Sequence, residues 1–66
     1  MEPIDIQYNL KKLGITQKAI AMETGKSETI ISLVIRKERI SAQVMTAICK
    51  KLEKSPVEVF PEYFAA

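Results

Sequence analysis

The stretch from Thr16 to Arg36, TQKAIAMETGKSETIISLVIR, decides the fold of this chain. It predicts two short helices joined by a tight turn. Thr16 suits an N-cap, because its hydroxyl can accept a bond from an amide left orphaned in the first turn. Ile20 and Ala21 supply an inward face. At Gly25 a helix can end in the left-handed conformation without a Cβ clash. Ser27 then caps a second helix, whose apolar residues Ile30, Ile31 and Val34 recur at helical spacing up to about Ile35. So short a link, with a glycine in it, makes the helices cross steeply. That crossing is how the second helix of a DNA reader is presented to the major groove.

Outward from this unit, helical signals fill the chain. A first helix is predicted over Pro3–Leu13, with proline at its start, Asp5 at the positive end of its dipole and an inner stripe of Ile6, Leu10 and Leu13. Gly14 ends it. Ile15 can pack back on that helix and staple to Ile20. Beyond the charged link Arg36, Lys37, Glu38, Arg39, Ser41 caps a fourth helix, with Ile40 and Met45 as a second staple. Val44, Ile48 and Leu52 line its inner face, flanked by Met45 and Cys49. Ser55, Pro56 and Glu58 spell a capping box for a short fifth helix. No strand signal, repeat or linker interrupts the pattern. The expectation is one all-α domain of four to five helices over residues 1–66.

Composition excludes several classes. One cysteine and no histidine leave no disulfide within the chain, no usual zinc ligand set and no Cys–His pair. Cys49, among apolar neighbours, reads as a small buried hydrophobe rather than a nucleophile. The acids are scattered, so no catalytic set is found and neither a cofactor nor a small-molecule substrate is expected. The methionines read as core filling. Lys50, Lys51 and Lys54 complement the end of the fourth helix and lack the aromatic anchors of a membrane-bound face. No apolar run is long enough to span a bilayer, so the chain is expected to be soluble and cytoplasmic, at the nucleoid when bound.

Net charge is only +2, but its distribution says more. All ten Lys and Arg lie between Lys11 and Lys54 with four acids, a local net of +6; the other four acids sit at the ends. A basic middle suits a polyanion, although an ordinary solvated helix surface would look the same. Phe60, Tyr63 and Phe64 carry too much apolar area to stay wet without reason. Two roles are open: folding back over helix one near Tyr8, or a homodimer contact.

The central unit resembles the lambda-repressor-like helix-turn-helix family, the Cro and repressor group. Its motifs here are Thr16-Gln17, Ile20-Ala21, Gly25, Ser27, Ile31-Ser32 and Val34. Within that group three stretches resemble Ner-type phage regulators: Pro3-Ile4-Asp5-Ile6, the run from Val34 through Ser41 to Ile48, and Ser55-Pro56-Val57-Glu58-Val59-Phe60-Pro61-Glu62. The resemblance covers nearly the whole chain. It implies that Ser27, Glu28, Thr29, Ser32 and Leu33 face the bases. It also implies that Gln17 braces the recognition helix and holds a phosphate, and that Arg36, Lys37 and Arg39 lie along the backbone. Lys18 and Lys26 are further phosphate candidates by charge, and the amides near the Thr16 and Ser41 caps by helix-start geometry.

Among base-facing candidates, Thr29 and Ser32 can donate or accept, Leu33 can meet a thymine methyl, and Glu28 can accept from cytosine, repel phosphate, or serve only the helix dipole. Thr24 and Lys26 stand where the family usually has apolar residues, and the loop holding Arg36 and Lys37 lacks the family's usual glycine. The implied function is regulation of transcription by operator binding, as a phage or prophage repressor and not as an enzyme. The rival is a protein-interaction domain on the same fold, an antirepressor or dimerisation module.

Overall fold

Four left-handed residues punctuate the chain: Gly14, Gly25, Lys37 and Glu53, with φ of 73°, 72°, 62° and 55°. Each follows one of the first four helices. The computed structural model describes residues 1–64, and its elements are α1 Pro3–Lys12, α2 Gln17–Thr24, α3 Glu28–Ile35, α4 Ala42–Leu52, α5 Pro56–Val59 and α6 Pro61–Phe64. Among the described residues there is no strand. Each terminator closes its helix with backbone bonds that satisfy carbonyls otherwise left orphaned: Ile15 to Leu10 at 2.9 Å, Lys26 to Ala21 at 3.1 Å, Glu38 to Leu33 at 2.9 Å and Lys54 to Cys49 at 3.1 Å. The opposite ends are capped by hydroxyls. Thr16 accepts from the Ala19 amide at 3.0 Å, Ser27 from Ile30 at 3.2 Å and Ser41 from Val44 at 3.4 Å.

One core joins these elements. Ile6 and Leu10 of α1, Ile20 and Ala21 of α2, and Ile31, Val34 and Ile35 of α3 are buried together. Val44, Met45, Ile48, Cys49 and Leu52 of α4 complete it with Val59 and Phe60. Thr24 is the one buried polar side chain among the described residues. Its hydroxyl donates to the Ile20 carbonyl at 2.8 Å, so the polar group in a family-apolar position is satisfied inside its own helix. Burial raises the Cys49 thiol above its ordinary pKa, which keeps it protonated and unreactive.

Several expectations need correction. Leu13 is 57% exposed, because α1 stops at Lys12 and the turn at Gly14 brings Ile15, not Leu13, onto the core. Ile40 is 66% exposed, so no staple to buried Met45 forms; the extended Ser41, at φ −147° and ψ 108°, carries the preceding chain outward. The capping box also fails: the Ser55 side chain caps nothing, and Glu58 pairs with Lys54 at 3.4 Å. Among the described residues there are six helices, where the sequence predicts four to five. Phe60, forced out of helical geometry by the following proline, separates α5 from α6 at φ −125° and ψ 59°.

The aromatic tail does not lie on Tyr8, which is exposed. Phe60 enters the core and Tyr63 reaches the α3–α4 loop, donating to the Lys37 carbonyl at 3.0 Å. Ala65 and Ala66, the end of that segment, lie outside the described residues.

Gly25 isolates the backbone term cleanly, since a Cβ built there meets nothing within 4 Å. Gly25→Ala should therefore cost about 1–2 kcal/mol from left-handed strain alone, and Gly25→Asn less. Urea midpoints at constant slope check this; equal stability of all three proteins would contradict it.

Candidate nucleic-acid interface

α3 is two-sided for a reason visible in its sequence. Ile31, Val34 and Ile35 fall on one stripe and are fully buried, which turns Thr29, Ser32 and Leu33 to the opposite stripe. Thr29 is exposed and Ser32 and Leu33 are half-buried. Ser27 and Glu28, at the helix start, are exposed as well. Ser27 spends its oxygen on the Ile30 amide. Among the described residues no hydrogen bond or ion pair engages the side chains of Glu28, Thr29 or Ser32.

α3 is also held from behind. Gln43 of α4 donates its Nε2 to the Thr24 carbonyl at 3.1 Å, and Lys51 of α4 pairs with Glu23 of α2 at 2.9 Å. The turn before α3 is thus tied to α4 at one end, and α2 is tied to α4 by its outer surface. Neither residue carries a local sequence signal, because each depends on a contact 19 or more residues away.

At the start of α2, Thr16 is exposed and Gln17 half-buried. They share a groove of about 360 Å³ with Gln7, Lys11 and Gly14. Thr16 accepts the Ala19 amide, which leaves its own O–H free to donate. Ser41 has the same arrangement at α4, half-buried. Lys18, Lys26 and Arg39 are exposed, and no ion pair holds them among the described residues. Arg36 is exposed, with its Nε 3.7 Å from the Glu38 carboxylate, a loose pair that competes little with another anion.

Lys37 departs from the expectation of a backbone contact. Its ammonium donates to the Met1 carbonyl and to Glu62 Oε2, the latter at 2.7 Å, and its side chain is only 13% exposed. Its main chain is left-handed, at φ 62°. Tyr63 bonds its carbonyl, and the Met1 nitrogen donates to the Glu58 and Val59 carbonyls at 3.0 and 3.2 Å. Strain in a side-chain-bearing left-handed residue persists only where surroundings over-determine it, and here both chain-terminal segments do so. The cation is consumed in building the loop. Sequence reasoning missed Glu62, Tyr63 and Met1 as its partners.

A family model described as helix-turn-helix matches residues 6–59. The chain belongs to the lambda-repressor and Cro type of helix-turn-helix family. Its matched segment runs from within α1 to the end of α5, with the helix-turn-helix at α2 and α3. No curated protein and no solved structure gives a match. As a helix-turn-helix protein of this type it is a regulator of transcription that binds double-stranded DNA. Among the described residues no cluster of His, Cys, Asp or Glu could hold a metal ion, and no helix is long and apolar enough to cross a membrane.

The Lys37 hydrogen bond holds the Glu62 carboxyl below its ordinary pKa. A carboxyl depressed by folding stabilises above its unfolded pKa and loses that contribution as pH falls through its folded value. Glu62→Gln should therefore be slightly less stable than the parent at neutral pH, by a small amount because the carboxylate is half-exposed. The gap should close under acid. A gap independent of pH in paired urea titrations would contradict this assignment.

Proposed function

We propose that this chain is a phage- or prophage-type repressor, close to the Ner kind, that acts by occupying an operator. α3 enters the major groove and offers Ser27, Glu28, Thr29, Ser32 and Leu33 to the base edges. One observation carries the reading: α3 buries Ile31, Val34 and Ile35 completely, while on the opposite stripe Thr29 is exposed, Ser32 and Leu33 are half-buried, and no hydrogen bond engages the Thr29 or Ser32 side chain among the described residues. Residues 1–66 act as one DNA-binding domain in this account.

Phosphates are gripped around that helix. The Thr16 and Ser41 hydroxyls and the amides at their helix starts serve as donors, with Gln17 beside them. Lys18, Lys26, Arg36 and Arg39 supply the charge that releases counterions. Lys37 contributes indirectly, by setting the path of the loop that carries Arg36 and Arg39. Repression is steric and needs no cofactor: bound protein excludes polymerase from the site, in the cytoplasm where the nucleoid lies. In a two-fold dimer, half-sites lie about 34 Å apart or at a multiple of that spacing. A contact between copies through the C-terminal segment would use Phe64 and Val57, which are exposed, because Phe60 is committed to the core.

Salt dependence tests the reading. The affinity for a selected duplex should fall steeply as salt rises, with a slope reduced by about 0.9 for each phosphate contact removed. Lys18→Ala and Arg39→Ala should each produce that reduction. Lys37→Ala should lower stability and leave the slope in place. A flat response to salt in the parent protein would contradict DNA binding and favour a protein partner.

A further inference from the structure

We propose that α3 selects its site by apolar contact with the C5-methyl groups of pyrimidines, made by Leu33 and the Thr29 methyl. The proposal rests on the reading of α3 as the groove-facing helix and adds what that helix recognises. Between Ser27 and Ile35 there is no Arg, Lys, Asn or Gln. The side chains that distinguish purines by paired hydrogen bonds are therefore absent from the groove-facing helix. The hydroxyls of Thr29 and Ser32 can donate or accept and so suit any base edge. Arg36 is the C-cap of α3, at the end away from the N-terminal turns that reach base edges, and it leans on Glu38.

Carbon remains. Leu33 is half-buried but remains partly accessible on the stripe opposite the core, and exposed Thr29 stands one turn before it. Residues four apart on a helix lie about 5–6 Å from each other along one face. Stacked bases advance about 3.4 Å per step along a strand. The two methyl-bearing side chains therefore span neighbouring pyrimidines one or two steps apart. A C5-methyl is the one apolar group in the major groove, and it separates thymine from unmethylated cytosine. Unpaired Lys26 before α3 and Arg39 after it complement the phosphates on either side of such a contact.

The chemistry recognised, a 5-methylpyrimidine, is supplied by thymine or by 5-methylcytosine. The experiment starts from duplexes selected out of a random pool by the purified full chain. In each bound duplex every thymine is replaced in turn by deoxyuridine and every cytosine by 5-methylcytosine, and affinities are compared at fixed salt. One or two deoxyuridine positions per half-site should weaken binding about fourfold each, the factor expected for burying one methyl-sized group. Thymine as the source gives that loss with no gain from cytosine methylation. Gains confined to 5-methylcytosine assign the methylated base instead.

Leu33→Ala should lose the sensitivity at one position. Thr29→Ser keeps the hydroxyl of an exposed residue and removes only its methyl, so the fold is undisturbed; it should lose the sensitivity at the other. Salt-dependent binding indifferent to both base changes would overturn this proposal and leave DNA binding standing. The same holds if both variants keep the parent's sensitivity. Failure to bind any duplex would overturn both.

Discussion

With Gly25 left-handed, α2 closes at Thr24 and α3 begins at Glu28, so the two helices have no freedom to separate and must share one core. That constraint orders the rest. Ala21 is small and almost wholly buried at the shared face, and Ile20 beside it is fully buried. α3 then commits Ile31, Val34 and Ile35 inward, and only its opposite stripe is left for a partner. Gln43 holds the turn from behind through the Thr24 carbonyl, and of the residues facing outward at α3 only Ser27 is used in the fold, as the helix cap.

How much of this the residues announce depends on the range of the interactions. The glycine terminators were legible, since a glycine after an apolar-periodic segment has a local reason to be there. Lys37 and Glu53 adopt the same conformation with no such mark. For Lys37 the reasons lie at Met1, Glu62 and Tyr63, far along the chain. The same distance hid its ion pair, so a lysine in a basic loop read as a phosphate contact when its charge is neutralised from the C-terminal segment. Periodicity also ran past the helix ends. Leu13 keeps the helical spacing of α1 but lies where the backbone has already turned, and the staple spacing of Ile40 to Met45 is likewise blind to the path of the chain before Ser41. On α3, where periodicity and cap are local, Ile31 and Val34 are buried as the spacing predicts, while Ile30 is only partly buried, Ile35 joins the buried stripe, and of the outward residues Ser32 and Leu33 are half-buried.

A functional division follows from where the charges are. Among the described residues the cations without an ion pair lie outside the groove-facing stripe: Lys18 on α2, Lys26 in the turn and Arg39 in the following loop, together with Lys11 and Lys12 on α1 and Lys50 on α4. Such groups supply affinity that is blind to sequence and sensitive to salt. The stripe itself is short-chained, with hydroxyls, one aliphatic residue and one carboxylate. Its contribution is discrimination rather than strength, and an uncompensated Glu28 near the duplex would sharpen it by disfavouring sites that offer no donor.

Amide shifts of isotope-labelled protein, followed as a selected operator duplex is added, test the central claim most directly. With α3 in the groove, changes concentrate at Thr16–Lys18, at Ser27–Leu33 and at Arg39–Ser41, and the exposed Ile4 and Tyr8 side of α1 stays silent. Changes centred on α1 or on α5 and α6, with Ser27–Leu33 unmoved, would contradict it.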